Sequence, residues 1–298
     1  MFKSGFISIL GKPNAGKSTL TNTLVGEKVS IVTWKPQTTR NKIIGIVNGE
    51  GYQVVLVDTP GIHKAKNELS KFMMKSVESA REGVDGYVYM LACDKRFDEF
   101  DRDYIVKLAG TGKPLYVVVN KCDEVEEIAV MARIEALKDI EGITAILPIS
   151  ALKGKNCDLL MEEIVKNLSD GEQFFAEDMY TDKSVRFMVS EIVREKALKN
   201  LSDEIPYGIG VAVNKFAYRE DGIIDIDCDI ICEKQAHKAM VIGKNGDMIK
   251  KISTYSRLDM EELLQAKVFL TLYVRVKESW RDSDLMLNEL GYSVKDLK

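Results

Sequence analysis

The segment Gly11-Lys12-Pro13-Asn14-Ala15-Gly16-Lys17-Ser18 stands directly after a short apolar run, Gly5–Leu10, and leads into an amphipathic stretch, Lys17–Leu24. It matches GxxxxGK[ST], and strand, glycine-rich loop and helix in that order are the context the pattern requires. Glycines let backbone N–H groups converge on phosphate oxygens, and the N-terminus of the following helix adds its positive dipole end. Gly11, Lys12, Pro13, Asn14, Ala15, Gly16, Lys17, Ser18 and Thr19 are therefore the expected phosphate site. Lys17 is placed on the β/γ oxygens and Ser18 on Mg²⁺. Such a loop belongs outside the carboxyl end of a strand in an open α/β sheet, where these sheets bind ligands.

The chain around it has the matching rhythm. From Lys3 to Ser169 short apolar runs alternate with amphipathic stretches, which predicts a mostly parallel sheet covered by helices. Strands are expected at Gly5–Leu10, Lys42–Val47, Gln53–Asp58, Gly86–Ala92, Pro114–Asn120 and Ala145–Ile149, and Gly49-Glu50-Gly51 reads as a hairpin turn that makes the second antiparallel to the third. Helices are expected at Lys17–Leu24, Glu68–Glu82, Phe97–Leu108, Glu124–Asp139 and Cys157–Leu168. Around 170–178 this rhythm stops. A helix (Ser184–Asn200), two strands (Gly208–Phe216, Gly222–Cys232), two helices (Glu233–Val241, Asp247–Leu264), a strand (Lys267–Val276) and a helix from Ser279 to about Leu290 follow. A length of 298 residues suits two domains, read here as 1–170 and 183–298 with a linker at 171–182.

Three later segments select the nucleotide. Asp58-Thr59-Pro60-Gly61, Asn120-Lys121-Cys122-Asp123 and Ser150-Ala151-Leu152 each lie at or just after the carboxyl end of a predicted strand. Asp123 can accept from both N1–H and the exocyclic amine of guanine, a bidentate contact adenine cannot make, and a buried carboxylate left unpaired should reject the wrong base by roughly 10⁴. Asn120 and Ala151 are expected at the acceptor edge of the base, with the aliphatic stem of Lys121 along its ring. GTP and GDP are therefore the expected ligands.

Asp58 sits where Mg²⁺ needs a carboxylate, and the Gly61 N–H can meet the γ-phosphate, a contact that hydrolysis removes. In the stretch 30–40, Thr39 or its neighbour Thr38 is the expected further metal ligand, so Ser18, Thr39 and Asp58 form the metal set. Such segments order with the triphosphate and loosen without it. The residue after Gly61 is Ile62, which cannot orient water, so slow intrinsic turnover is expected. Lys17, Thr39, Asn14 and Gly61 are the catalytic candidates. Asn14 offers an oxygen for a monovalent cation such as K⁺ at the place an arginine finger would take, and a loop-stabilising role is the alternative. His63 is a weaker candidate base.

In the second part, Ile242-Gly243-Lys244-Asn245-Gly246 joins two helical patterns through a GxxG turn, after two strands and a helix and before a long helix and a strand. That is the order of an α+β KH domain of type II, whose glycines let the backbone approach single-stranded RNA. The whole chain has 42 basic and 46 acidic side chains, a net −4 that taken alone argues against a nucleic-acid partner. The average conceals a local patch, because 234–257 holds six cations against Asp247 alone. Lys238, Ile242, Gly243, Lys244, Asn245, Gly246, Lys250 and Lys251 are the expected RNA contacts, with a short footprint and modest salt dependence. Upstream, Asp225, Asp227 and Asp229 alternate with apolar residues, which reads as a solvated strand face in preference to a metal cluster.

Five unpaired-looking cysteines, two histidines and no apolar run of about 18 residues fit a cytoplasmic chain that does not span a membrane. A GTP-dependent scaffold that binds a protein or membrane surface is the alternative to an RNA binder.

Taken together, these motifs resemble the Era family of bacterial GTPases over essentially the whole chain. Gln37-Thr38-Thr39-Arg40, Arg186-Phe187, Glu191-Ile192-Val193-Arg194-Glu195-Lys196, Glu204-Ile205-Pro206-Tyr207 and Trp280-Arg281 look specific to that family. The resemblance implies a Ras-like P-loop GTPase domain followed by a KH domain, and a role in assembling the 30S ribosomal subunit. It also implies a grip on the 3′ end of 16S rRNA, a monomeric state, and a peripheral contact with the inner membrane.

Overall fold

The protein is described by a computed structural model covering residues 1–297. It divides into two compact units, one of residues 1–64, 73–182 and 297, the other of residues 65–72 and 183–296.

The first unit is a six-stranded sheet in the order β2-β3-β1-β4-β5-β6. Its strands are β1 (Lys3–Gly11), β2 (Ile43–Gly49), β3 (Tyr52–Asp58), β4 (Gly86–Ala92), β5 (Leu115–Asn120) and β6 (Ala145–Pro148). All pairs are parallel except β2–β3, joined by the expected hairpin. Every residue of β4 is buried, as a central strand covered on both faces demands. Alternate residues serve the two layers. Ile7, Ile9, Val88 and Val118 pack with Leu20 of α1 (Lys17–Val25) and with Leu160 and Ile164 of α5 (Cys157–Asn167). Leu10, Tyr89, Leu91 and Val117 pack on the opposite face with Val77 of α2 (Glu68–Ser79), Ile105 of α3 (Glu99–Ala109) and Val130 of α4 (Glu127–Glu135). Each such aliphatic side chain contributes about 1.5–3 kcal/mol, so the carboxyl edge of the sheet is a rigid platform for its loops.

Residues 171–182, read from sequence as a linker, cluster with this unit. They lie along the sheet edge. The Gln53 side-chain oxygen Oε1 accepts from the N–H groups of Phe174 and Phe175, and Ile46 N–H donates to the Tyr180 carbonyl of this stretch.

In the second unit β7 (Gly210–Tyr218) pairs antiparallel with β8 (Ile224–Cys232), and β8 pairs parallel with β9 (Val268–Val276). Ile224, Ile226, Cys228 and Ile230 form the buried face of β8, against Val189 and Ile192 of α6 (Val185–Asn200) and Ile252 and Met260 of α8 (Asp247–Leu264). The opposite face carries the aspartates, and two of them are in ion pairs: Asp225 with Lys215 and Arg219, Asp229 with Arg275. Among the described residues no group of three or more His, Cys, Asp and Glu side chains could hold a metal ion.

The single helix expected after β9 is broken. Trp280 is fully buried and its indole donates to the Gly208 carbonyl at 2.9 Å, which pins a 3₁₀ turn at Trp280–Asp282. Helix α9 (Asp284–Glu289) then starts afresh with the Ser283 hydroxyl as its cap. Helix α4 is likewise shorter than its sequence pattern. No helix among the described residues is long and apolar enough to cross a membrane.

Candidate functional site

The loop between β1 and α1 takes its shape from residues that tolerate unusual backbone. Gly11 (φ 142°), Asn14 (φ 63°) and Gly16 (φ 99°) all lie at positive φ. A Cβ on Gly16 would come within 2.1 Å of Asn120 Nδ2, so only glycine fits there. Lys17 is 6% exposed, and its ammonium donates to the carbonyls of Gly11 (3.1 Å) and Lys12 (3.0 Å). Burial pulls that ammonium down to about 8, with the Asp58 charge offsetting part of the effect.

Asp58, at the end of β3, is 0% exposed, and neither of its carboxylate oxygens has a hydrogen-bond partner. Burial pushes its carboxyl above the ordinary range, against the nearby Ser18 hydroxyl and Lys17 ammonium. Ser18 Oγ and Thr39 Oγ1 are hydrogen-bonded at 2.7 Å. Thr38 is occupied elsewhere, with its hydroxyl on the Lys35 carbonyl and on the Thr33 hydroxyl. Thr39 is thus the threonine brought to Ser18. Two hydroxyls and an unsatisfied buried carboxylate are the hard oxygen donors that suit Mg²⁺.

At the other end stands Asp123, the carboxylate expected to read the base. The Ser150 hydroxyl holds it below the usual carboxylate range, with Lys153 pairing it at 3.3 Å. Lys121 is held in the left-handed region (φ 66°) and pairs with Asp94 at 3.2 Å, while Leu152 stands 75% exposed. Both line one cleft of about 310 Å³ that also takes in Asn14, Lys17, Ser18, Thr39 and Gly61. Most of the predicted phosphate and base residues, with Ser18 and Thr39 of the metal set, therefore line a single cavity of ligand size.

Several expected contacts differ. Asn120 lines the cleft and also ties two loops together: Nδ2 donates to the Ala15 carbonyl (2.8 Å) and Oδ1 accepts from Ala151 N–H (2.9 Å). It is a strut between the phosphate loop and the base loop, placed there by the close approach at Gly16. Gly11, Lys12, Ala15, Asp58, Thr59, Pro60, Ile62, Cys122 and Ala151 do not line the cleft. Ala15 is buried in the core, Thr59 donates to the Ile9 carbonyl, and the Ile62 side chain packs on the hydrophobic layer. Ile62 N–H still reaches back to the Gly11 carbonyl at 3.1 Å. Burial pushes the Cys122 thiol up to about 11, so it stays protonated. His63 turns Nδ1 to the Gly61 carbonyl and is not among the lining residues.

The GxxG turn joins α7 (Gln235–Ile242) to α8. Gly243 (φ 76°) and Gly246 (φ 81°) are both at positive φ, and a Cβ on Gly243 would meet Met248 Cβ at 2.6 Å. Lys244, Asn245, Lys250 and Lys251 are exposed. A shallow groove of about 400 Å³ runs beside the turn, lined by Lys238, Ile242 and Ile249 on one side and by Leu272, Tyr273 and Arg275 of β9 on the other. Tyr273 and Arg275 went unnoticed in the sequence. The available signal was the period-2 exposure of Phe269, Tyr273 and Arg275 on an edge strand.

Comparison with known proteins finds a family match in each part of the chain. Residues 6–121 match the family described as 50S ribosome-binding GTPase, and residues 204–281 match the KH domain. The chain is 46% identical over 292 residues to GTPase Era of Clostridium novyi (strain NT), covering 98% of this chain and 99% of that one. It is 47% identical to GTPase Era of Clostridium kluyveri, over 98% of this chain and all of that one. Among solved structures, Era in complex with MgGDPNP and nucleotides 1506–1542 of 16S ribosomal RNA superposes with a TM-score of 0.94 at 35% identity, covering 99% and 100% of the two chains. A variant of Aquifex aeolicus Era bound to GDP·AlF₄⁻ gives the same TM-score at 36% identity, covering 98% and 100%.

Proposed function

Because the chain belongs to the Era family of GTPases, we propose that it couples GTP hydrolysis to a grip on the 3′ region of 16S rRNA and so assists assembly of the 30S ribosomal subunit. The hydrolysis of GTP to GDP and phosphate comes with the family.

In this reading residues 11–19 cradle the phosphates, Lys17 meets the β/γ oxygens, and Asp123 reads guanine while Lys121 and Leu152 flank it. Ser18 and Thr39, with the Asp58 carboxylate behind them, hold Mg²⁺, which when bound neutralises charge on the phosphate oxygens. Ile62 brings no polar group to the attacking water, so intrinsic turnover is slow. The Asn14 amide donates to the Trp34 carbonyl at 2.8 Å, which leaves Oδ1 as the atom for a K⁺ ion near the transferred phosphoryl group.

The observation that carries the RNA reading is the GxxG turn beside a groove that combines apolar residues, Tyr273 and cations. Such a groove accepts unstacked bases while the turn clamps their backbone. The solved relative with 16S nucleotides 1506–1542 supports the choice of RNA.

The test is binding of an RNA oligonucleotide carrying the 16S 3′ sequence, against a scrambled one. Lys244→Asp with Asn245→Asp should abolish the preference while GTP turnover persists. RNA affinity retained in that variant would favour a protein or membrane scaffold. Equal RNA affinity with GDP and a non-hydrolysable GTP analogue would remove the coupling.

A further inference from the structure

Lys12 occupies the second position of the phosphate loop, yet its side chain leaves the cleft and reaches the first turn of α3. Its ammonium lies 2.6 Å from Asp98 Oδ2 and 2.8 Å from Asp101 Oδ2, with the Phe100 ring 5.3 Å away. Asp101 is only 2% exposed, and its other oxygen accepts from the Tyr89 hydroxyl of β4 at 2.9 Å. Asp98 and Asp101 also cap α3 reciprocally, each carboxylate taking the other residue's N–H. The lysine thus closes a network whose remaining members belong to a central strand and a helix end. Burial, with the Asp101 charge beside it, pushes the Tyr89 hydroxyl far up, so it remains a donor. The Lys12 ammonium holds the Asp98 carboxyl below its usual range.

We propose that Lys12 is a positioning residue for nucleotide binding, which fastens the start of the phosphate loop to β4 and α3 so that its backbone carbonyls keep Lys17 in place. The Lys12 carbonyl is itself one of the two acceptors of the Lys17 ammonium. Movement of residue 12 is therefore transmitted directly to the group that meets phosphate. The connection runs Tyr89, Asp101, Lys12 side chain, Lys12 carbonyl, Lys17. A loop released from this clamp has to be ordered by the ligand, at a cost in affinity that GDP and GTP share. Helix capping alone accounts for the reciprocal bonds of Asp98 and Asp101, but it gives no reason for a lysine of the phosphate loop to join them.

The inference rests on residues 11–18 being the phosphate cradle, which Lys17→Ala tests separately by losing nucleotide whatever Lys12 does. Lys12→Ala should weaken GDP and a GTP analogue alike, by about tenfold, while kcat at saturating GTP changes much less. Lys12→Arg should restore most of that affinity, because the guanidinium can bridge both carboxylates. Asp101→Asn should give a similar loss, and combining it with Lys12→Ala should add little. Tyr89→Phe, which removes one hydroxyl from the same network, serves if Asp101→Asn fails to fold, with an expected loss of about threefold. A Lys12→Ala protein that melts earlier but binds GDP within twofold of the unaltered chain would reduce the network to helix capping and overturn the proposal. So would full additivity of the two substitutions.

Discussion

Ser18 Oγ and Thr39 Oγ1 are 2.7 Å apart, one at the start of α1 and the other 21 residues on. Both line the cleft, and close to Ser18 the Asp58 carboxylate is buried without a hydrogen-bond partner. The adjacent Thr38 also lines the cleft, but its hydroxyl is taken by the Lys35 carbonyl and the Thr33 hydroxyl.

Thr39→Ala should therefore reduce GTP turnover by 10- to 100-fold, the range for loss of a metal-orienting group, and should raise the Mg²⁺ concentration needed for half-maximal rate. Thr38→Ala should leave the Mg²⁺ requirement nearly unchanged and only loosen the loop. A Mg²⁺ titration of turnover for the two variants, side by side, checks the assignment.

Lys17 supplies a pH dependence whose sign follows from burial. Its proton is held less tightly in the folded chain, at about 8, than in the unfolded one, at about 10.5. The unfolded state therefore binds more protons between these values, and the contribution of Lys17 to stability rises with pH across that window. Nucleotide binding goes the other way. Phosphate charge favours the ammonium, so GDP binding takes up a proton above pH 8 and affinity should fall with pH there, by up to tenfold per unit. Titration of GDP between pH 7 and 10 reads this out. In Lys17→Arg the guanidinium stays charged, and the slope should vanish.

With Oδ1 of Asn14 free to coordinate, turnover should be faster in K⁺ than in Na⁺ buffer of equal ionic strength, and Asn14→Ala should remove the difference. Equal rates for the unaltered protein in both salts would assign Asn14 to holding the Trp34 carbonyl alone. The indole of Trp34, 66% exposed, offers a fluorescence reading of the same loop.

The two glycines of the GxxG turn should respond unequally. Gly246→Ala introduces only the penalty of a left-handed alanine, about 1 kcal/mol, because no atom lies within 4 Å of the added methyl. Gly243→Ala adds a collision with the Met248 backbone nitrogen at 2.8 Å and with its Cβ. It should cost more in melting temperature and abolish RNA binding, whereas Gly246→Ala should retain a folded domain. Thermal unfolding and an RNA titration of both variants separate the two effects.

Much of this molecule is written in local pattern. The βα rhythm of residues 3–169, the hairpin at 49–51, the boundaries of α5 and α8 and the chemistry of Gly11–Ser18 depend on side-chain period and backbone freedom over a few residues. They are legible without neighbours. The strand order β2-β3-β1-β4-β5-β6, in which β1 lies between β3 and β4, is not local and came only with the tertiary structure. The same holds for the break at Trp280, which exists because an indole finds a carbonyl 72 residues away.

At the site, sequence alone determined which residue types are present and at which strand ends they stand, because loop chemistry and strand periodicity are carried by short segments. It could not determine which partner each polar group takes. Asn120 looks like a base-edge residue alone, and the fold adds bonds from its amide to Ala15 and Ala151. Thr38 and Thr39 are interchangeable until one of them meets Ser18. Lys12 looks like one more phosphate contact until its ammonium is found between Asp98 and Asp101. In each case a buried or half-buried polar group must be satisfied within the fold, and its partner comes from a distant segment whose position only the packed sheet and helices decide.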